Sequence, residues 1–443
     1  METTAKNSKF RNSVSLKLIV IVILSLLLLI PTFFIRNLID ERQTRRNETI
    51  LEVTSKWGQS QTLFAPVILV PYEKYEKTSS KTFITHKNYM HLLPDELVIN
   101  GSMAPEIRHR GIYKIVLYST DLNLNAVFTK ESFQNWPDSP DKILWSEAIL
   151  VIGISDLAGL DDISEIQWNN DTLLAEGGIP YTSDISTGIH AFVDINPEGN
   201  NTFHLQMDLH GSESLYFIPA GKSTNVNLSS NWTTPSFEGS SLPDERNVTG
   251  EGFDAKWNVL HLTRPFPQKW ANNSYSYVIP ESAFGVNLLI PVDLYQKTTR
   301  SVKYALLFIG LTFLLIFFIE ISSKTRIHAV QYLLIGAALV IFYSLLLSLS
   351  EHLPFAWAYL IAGIGIVSLI VSFIHTLFKK KAYTLVTLGM LVILYGFLFA
   401  ILHLSDLALL LGNIGLFIIL AVVMFYSLRI DWYNERNPET SSK

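Results

Sequence analysis

Six stretches of this chain are apolar over the length of a membrane-crossing helix. Between the first and the second, apolar and polar residues alternate for more than half the chain. The apolar stretches are residues 16–35, 302–321, 329–349, 355–378, 382–402 and 407–428. A span takes roughly 20 residues, because the hydrocarbon layer is about 30 Å thick and a helix rises about 1.5 Å per residue. Lipid offers backbone N–H and C=O groups no partner, so each span is expected to be helical. The first stretch is long for a signal peptide. Phe33-Phe34-Ile35-Arg36 follows it where a small-residue cleavage site would stand. It therefore reads as an anchor.

Lys and Arg in the short connections set the orientation. Lys324 and Arg326, then Lys379, Lys380 and Lys381, then Arg429 and Arg436 fall on one side. The alternate connections, 350–354 and 403–406, carry no Lys or Arg. The first set is expected to be cytoplasmic, with both termini. Lys6, Lys9, Arg11 and Lys17 agree. Arg36, Arg42, Arg45 and Arg46 pull the other way, but they begin a long loop, and long loops translocate largely regardless of charge. The expected division is a cytoplasmic N-terminus 1–15, span 16–35, an extracytoplasmic β-rich domain 36–301, a five-helix bundle 302–428 and a cytoplasmic tail 429–443.

Residues 36–57 contain no Pro or Gly, and Ile50, Val53 and Trp57 recur at helical spacing. They predict a helix leading into the domain, with Glu41 and Arg45 positioned to pair across one turn. Its basic stripe fits lipid headgroups or a partner, or a solvated face. From about residue 61 the period falls to two. Runs at 67–72, 112–118, 148–154, 190–195 and 203–209 read as strands, separated by Asn, Gly, Pro and Ser clusters. A β-sandwich or related antiparallel architecture is expected, as one sandwich or two lobes. The fold class is thus a membrane α+β protein: six transmembrane helices, with a β-rich domain inserted between helices 1 and 2.

Composition narrows the chemistry. The chain has 443 residues, 49% hydrophobic and 16% charged, and a net charge of −5. That balance suggests no nucleic-acid partner. Without cysteine there is no disulfide, no thiol catalysis and no Cys-based metal site. Ala220-Gly221-Lys222-Ser223 resembles the end of a phosphate loop, but Tyr216 stands where its first glycine belongs. Gly153-Ile154-Ser155-Asp156-Leu157 resembles a nucleophile elbow without the closing glycine. His204 and His210 share a strand face only if the strand runs unbroken, and two structural histidines are the plainer reading. No catalytic residue, metal ligand or cofactor site is assigned.

Two sets of residues remain as candidates. Ionisable groups near a bilayer are costly and tend to have a role. Glu351, His352 and Asp406 gather in the two connections free of Lys and Arg, and could form a ligand- or proton-linked cluster at the outer edge; interfacial residues reaching water is the plainer alternative. Glu320, His375 and His403 lie near helix ends. In the domain, Asp244 and Arg246, with Arg264 and Trp270, sit in loops mixing charge, proline and aromatics. They could form a partner-binding edge, or ordered loops pinned by ion pairs and ring packing. Ala358, Ala362, Gly389, Gly396, Gly412 and Gly415 would allow close helix packing.

A family resemblance adds to this reading. Glu41-Arg42 with Arg45-Arg46, Trp57-Gly58, Arg110-Gly111-Ile112-Tyr113, Gly153-Ile154-Ser155-Asp156-Leu157, Leu242-Pro243-Asp244-Glu245-Arg246, Pro291-Val292-Asp293-Leu294-Tyr295, His328-Ala329-Val330-Gln331-Tyr332 and Asp431-Trp432-Tyr433 together resemble the CreD inner-membrane proteins. The resemblance implies a bacterial inner-membrane protein with its domain in the periplasm. It implies a part in envelope integrity, colicin tolerance and the response to β-lactam stress, and brings no catalytic residue. The function expected is a non-enzymatic one, the periplasmic domain binding an envelope protein or glycan beside the lipid bilayer. A transporter or lipid-handling role for the helix bundle is the alternative.

Overall fold

The structure is a computed structural model that describes residues 14–77, 83–181, 184–288, 294–323, 325–404 and 408–428. The chain divides into two compact units, Arg46–Pro291, and Met1–Arg45 with Val292–Lys443.

Arg46–Pro291 is β-rich because its sequence alternates. In strand Asn201–Ser212, Phe203, Leu205, Met207 and Leu209 are buried while Thr202, Gln206 and Asp208 are exposed. Strand Phe253–Leu260 buries Phe253, Ala255, Trp257 and Val259 and exposes Asp254, Lys256 and Asn258. Such strands have one face on a core and one in water. Strand Ile149–Ile154 is buried at every position, which is why its sequence is an unbroken apolar run.

The described strands form two sheets. One runs through Glu176–Gly177, Gly188–Phe192, Ile149–Ile154, Gln61–Lys77, Ser214–Phe217, Phe284–Leu288 and Pro235–Gly239. Phe83–Leu92 and Lys142–Ile143 also pair with Gln61–Lys77. The other runs through Glu245–Val248, Phe253–Leu260, Ser223–Ser230, Glu96–Arg110, Tyr113–Phe128, Asn201–Ser212, Ile166–Trp168 and Asp171–Leu173. Two pairings are parallel, Gln61–Lys77 with Ser214–Phe217 and Glu96–Arg110 with Ser223–Ser230, so the architecture is mixed rather than antiparallel throughout.

Aromatic rings join the two sheets. Trp257 lies 5.8 Å from Phe237 and 5.9 Å from Phe284, which belong to the opposite sheet. A second ring chain runs from Tyr72 through Trp136, Trp145 and Phe133 to Phe128 at 5.6–6.3 Å. One core takes buried residues from both sheets, so this is a single sandwich and not two lobes.

The membrane unit is helical. Helix α1 spans Val14–Leu27 and α2 spans Leu29–Trp57, with a break at Leu28. Pro31 explains the break, since it supplies no N–H to the carbonyl of Leu27 and its ring crowds the preceding turn. The last turns of α2 belong to the β unit. There Ile50, Val53 and Trp57 lie against Ile115 and Leu117, as their spacing predicts. Gly58 ends α2 at φ +141°, with its N–H on the Thr54 carbonyl.

Five further helices follow: α3 Leu294–Lys303, α4 Ala305–Ser323, α5 Ala329–Ser350, α6 Phe355–Phe378 and α7 Lys381–His403. Then comes α8, Ala408–Ser427. Among the described residues, Lys17–Trp57 and α4 to α7 are long and apolar enough to cross a membrane, and Leu410–Phe425 is a shorter apolar helix. Helix α3 corrects the expected boundary. Residues 294–301 are helical rather than part of the β-domain, and they bury Tyr295, Thr298 and Ser301 at helical spacing.

Packing in the bundle is specific at two glycines. Buried Leu28 occupies the space over Gly336, where a Cβ would stand 2.1 Å from its Cδ1. Gly415 admits the ring of Phe397 in the same way, again at 2.1 Å. Gly389, Gly396 and Gly412 face open space, so the small-residue pattern overstates their part.

Candidate functional site

Helix α1–α2 meets the bundle through two buried carboxylates. Glu320, on the last turns of α4, accepts from the backbone N–H of Ile327 at 2.9 Å and from the Tyr332 hydroxyl at 3.0 Å. Its third partner is the Lys17 ammonium of α1. The Glu320 side chain is 5% exposed. At the other end Glu351 caps α5, with Arg42 Nε 3.8 Å away and the Tyr295 hydroxyl donating at 3.4 Å. A buried carboxylate costs several kcal/mol unless paired and hydrogen-bonded, so these partners are obligatory.

The expected outer-edge cluster is therefore only partly assembled. Glu351 is buried and partnered. His352 is exposed, with Nδ1 3.1 Å from the Ser348 carbonyl. Asp406 lies outside the described residues. His403 caps its own helix against Phe399, and His375 meets the Thr384 hydroxyl at 3.0 Å. The sequence names every carboxylate here but does not pair them. Nothing in the sequence pairs Tyr332 and Lys17 with Glu320, or Tyr295 and Arg42 with Glu351.

In the β unit the four loop candidates separate. Arg246 lies on the exposed strand Glu245–Val248, and Asp244 accepts from the Asn258 N–H at 2.8 Å. Arg264 and Trp270 are buried instead, and so present no partner-binding edge. Arg264 donates to the carbonyls of Pro219 and Ala220 and stacks 4.3 Å from the Phe266 ring. Burial pulls its guanidinium down to about 9. Trp270 donates to Asp184 at 2.6 Å and stacks on His91, with ring centroids 4.8 Å apart. Burial drives the His91 imidazole down to about 4, against the upward pull of the Asp184 carboxylate.

The motif fragments are structural. Lys222 pairs with Asp95 at 2.5 Å, and Asp95 also accepts from Thr129 and Ser132. Burial acts to raise the Asp95 carboxyl, but Lys222 and the hydroxyls outweigh it and hold it at about 2. Ser155 donates to the Ser60 carbonyl, and Asp156 accepts from the Gln59 N–H, so both pin a turn. His204 and His210 share one strand. Six residues apart, they lie about 20 Å from each other at about 3.3 Å per residue. Each has its own partner: Asn125 for His204, and the Trp57 ring at 4.1 Å for His210. Among the described residues, no three His, Asp or Glu side chains gather where they could hold a metal ion.

What pattern-reading missed is the solvent face of the second sheet. Register aligns Lys256, Asn227, Asn100, Asn123 and Gln206 in one row across five strands. A second row holds Asn258, Asn225, Val98, Asn125 and His204, and a third Asp254, Ser229, Ser102, Asp121 and Asp208. The first row, with Asp254, Ser229, Ser102 and Asp121 of the third, floors a shallow depression of about 430 Å³. The alternation marks these residues as outward-facing; only the strand order brings them together.

Over residues 13–433 the chain matches the family described as "Inner membrane protein CreD". It is 33% identical over 418 residues to the inner membrane protein CreD of Escherichia coli (strain K12), across 92% of this chain and 91% of that one. Among solved structures it is similar to the M1 zinc metallopeptidase of Deinococcus radiodurans, with a TM-score of 0.21 and 12% identity over 44% of this chain and 41% of that one. It is also similar to the native leukotriene A4 hydrolase of Saccharomyces cerevisiae, with a TM-score of 0.20 and 10% identity over 41% of this chain and 28% of that one. Similarities of that size carry no argument.

The buried Glu320 and His91 can each be tested by substitution. Glu320→Ala strands the Ile327 N–H and the Tyr332 hydroxyl, each at a cost of about 1–3 kcal/mol. Lys17→Met leaves the buried Glu320 carboxylate without its cation and costs about 3–5 kcal/mol. Unfolding of the full chain in bicelles is expected to show a loss in each single variant, with a coupling of about 0.5–3 kcal/mol in the double variant; additive losses with no coupling would show that the two side chains do not act as a pair. The second concerns acid. His91 binds its proton more readily unfolded than folded, so stability is lost as pH falls from about 6.5 towards 4. His91→Phe keeps the ring stack and removes this loss, on the order of 3 kcal/mol at about 1.4 kcal/mol per pKa unit. A wild-type-to-variant difference that stays constant between pH 7 and 4 would rule the titration out.

Proposed function

The chain belongs to the CreD family of inner membrane proteins, and from that premise we propose that it is a non-enzymatic protein supporting envelope integrity by holding a glycan on its β-domain. In this reading the β-domain lies in the periplasm, six helices including Leu410–Phe425 cross the inner membrane, and both termini are cytoplasmic. The observation that carries the reading is the amide-lined face of the second sheet. Asn and Gln side chains each donate and accept, as sugar hydroxyls do. Aromatic residues are enriched at the cores of protein–protein interfaces, and the three rows hold none. A polyhydroxylated chain fits that chemistry better than a protein surface does.

The orientation has a direct test, because the natural chain has no cysteine and single thiols can be introduced without background. In intact cells a membrane-impermeant maleimide is expected to label His352→Cys and Tyr277→Cys, and Lys380→Cys only after permeabilisation. The reverse pattern would invert the topology. The ligand reading is tested by photocrosslinking in cells from positions 123 and 227, with position 277 as an exposed control off the face. Recovery of the same glycan from both face positions, and not from the control, is the expected result. Capture no stronger than from position 277 would remove the face as a binding site.

A further inference from the structure

An apolar groove of about 480 Å³ lies between α4, α7 and α8. It runs along α4 from Leu311 to Ser322, about 16 Å at about 1.5 Å per residue. On α7 it runs from Tyr383 to Ile393, about 15 Å by the same rise. Both lengths are close to half the roughly 30 Å hydrocarbon layer. The groove therefore has the depth of one leaflet. Its walls are aliphatic and aromatic, and its polar members, Ser322 and Tyr383, both lie at one end.

That end has a charge of definite sign. Lys379, Lys380 and Lys381 connect α6 to α7, all three exposed. No ion pair engages any of them among the described residues. The Lys380 ammonium stands 5.6 Å from the Tyr383 ring, so it lies beside the polar mouth. Lys17, Lys74 and Lys222, by contrast, have carboxylate partners. Three consecutive ammonium groups without an ion pair, the middle one beside Tyr383 at the mouth of a one-leaflet apolar slot, match a single ligand chemistry, an acyl chain ending in an anionic phosphate.

We infer that this groove is a binding site for one anionic phospholipid, its acyl chain between α4, α7 and α8 and its phosphate held by Lys379–Lys381. Basic residues beside a membrane attract anionic headgroups, and each buried methylene adds to the hold. The site is independent of the glycan face, since it lies in the other unit and uses none of the same residues.

The test uses the full chain in nanodiscs of equal phosphatidylglycerol and phosphatidylethanolamine, with native mass spectrometry of the lipids retained on ejection. The wild-type protein is expected to retain one phosphatidylglycerol, favoured over phosphatidylethanolamine by roughly tenfold or more. Replacing all three lysines with Gln is expected to abolish that preference while leaving some lipid of either kind. Met390→Trp fills the slot and is expected to lower retention of both lipids; Val386→Trp, more exposed to lipid, does the same if the first variant fails to fold. Equal retention of the two lipids by the wild type, or a preference that survives the lysine replacement, would overturn the site.

Discussion

The membrane unit depends on how two carboxylates are kept from being buried alone. Glu320 and Glu351 sit at opposite ends of the bundle, and each takes its cation from the first helix. Lys17 and Arg42 are about 37 Å apart along that helix at about 1.5 Å per residue. That matches a bilayer with part of its headgroup layers, about 40–45 Å in all. The pairs thus fall where a charge can be both buried in protein and close to water. Between them Leu28 enters the space left by Gly336. Two polar contacts fix the height of the helix and one apolar contact fixes its rotation. Lipid supplies no hydrophobic force between helices, so such contacts must carry the packing.

The same constraint explains what could be read from sequence and what could not. Five of the six expected spans are legible as helices long and apolar enough to cross a membrane among the described residues, because lipid permits so little else. Strand positions are legible where a half-buried sheet imposes period two, as at 203–209 within Asn201–Ser212. The break at Leu28 interrupts a stretch expected to be one helix, and Pro31 accounts for it. Pairings across the chain are not legible, since Glu320 finds Lys17 some 300 residues away and no local pattern records it. Arg264 and Trp270 mislead for a related reason. Charge and aromatics beside proline look like a surface loop, yet Arg264 turns inward onto backbone carbonyls and Trp270 lies in strand Lys269–Ala271, in the core and bonded to Asp184. Local composition reports which groups need partners and is silent on where the partners come from.

The β unit shows the matching limit. Period two places Gln206 on the solvent side of the run read as a strand at 203–209, while Asn100, Asn123 and Asn227 lie outside the runs read as strands. Their meaning comes from strand order. The parallel pairing of Ser223–Ser230 with Glu96–Arg110 is a long crossover that no hairpin signal announces, and it sets Asn227 beside Asn100. A face of amides is thus a property of topology, and its chemistry belongs to no single motif.

The bundle interior bears on what the helices can do. Tyr343 and Phe342 are fully buried, and Tyr359 and Tyr395 are nearly so. The Phe342 ring lies 4.9 Å from Tyr395, and the Tyr359 hydroxyl donates to the Tyr395 carbonyl at 2.7 Å. These rings fill the space where a coupled transporter would place a charged or water-lined site near the bilayer midplane. Glu320 and Glu351, the carboxylates of α4 and α5 among the described residues, lie at the helix ends and are partnered. Solutes crossing through the centre would have to displace close-packed aromatic rings, whereas the lipid-facing groove between α4, α7 and α8 stands open without any rearrangement. Among the described residues, the groove between α4, α7 and α8 opens sideways, between helices, and not through the ring-filled centre.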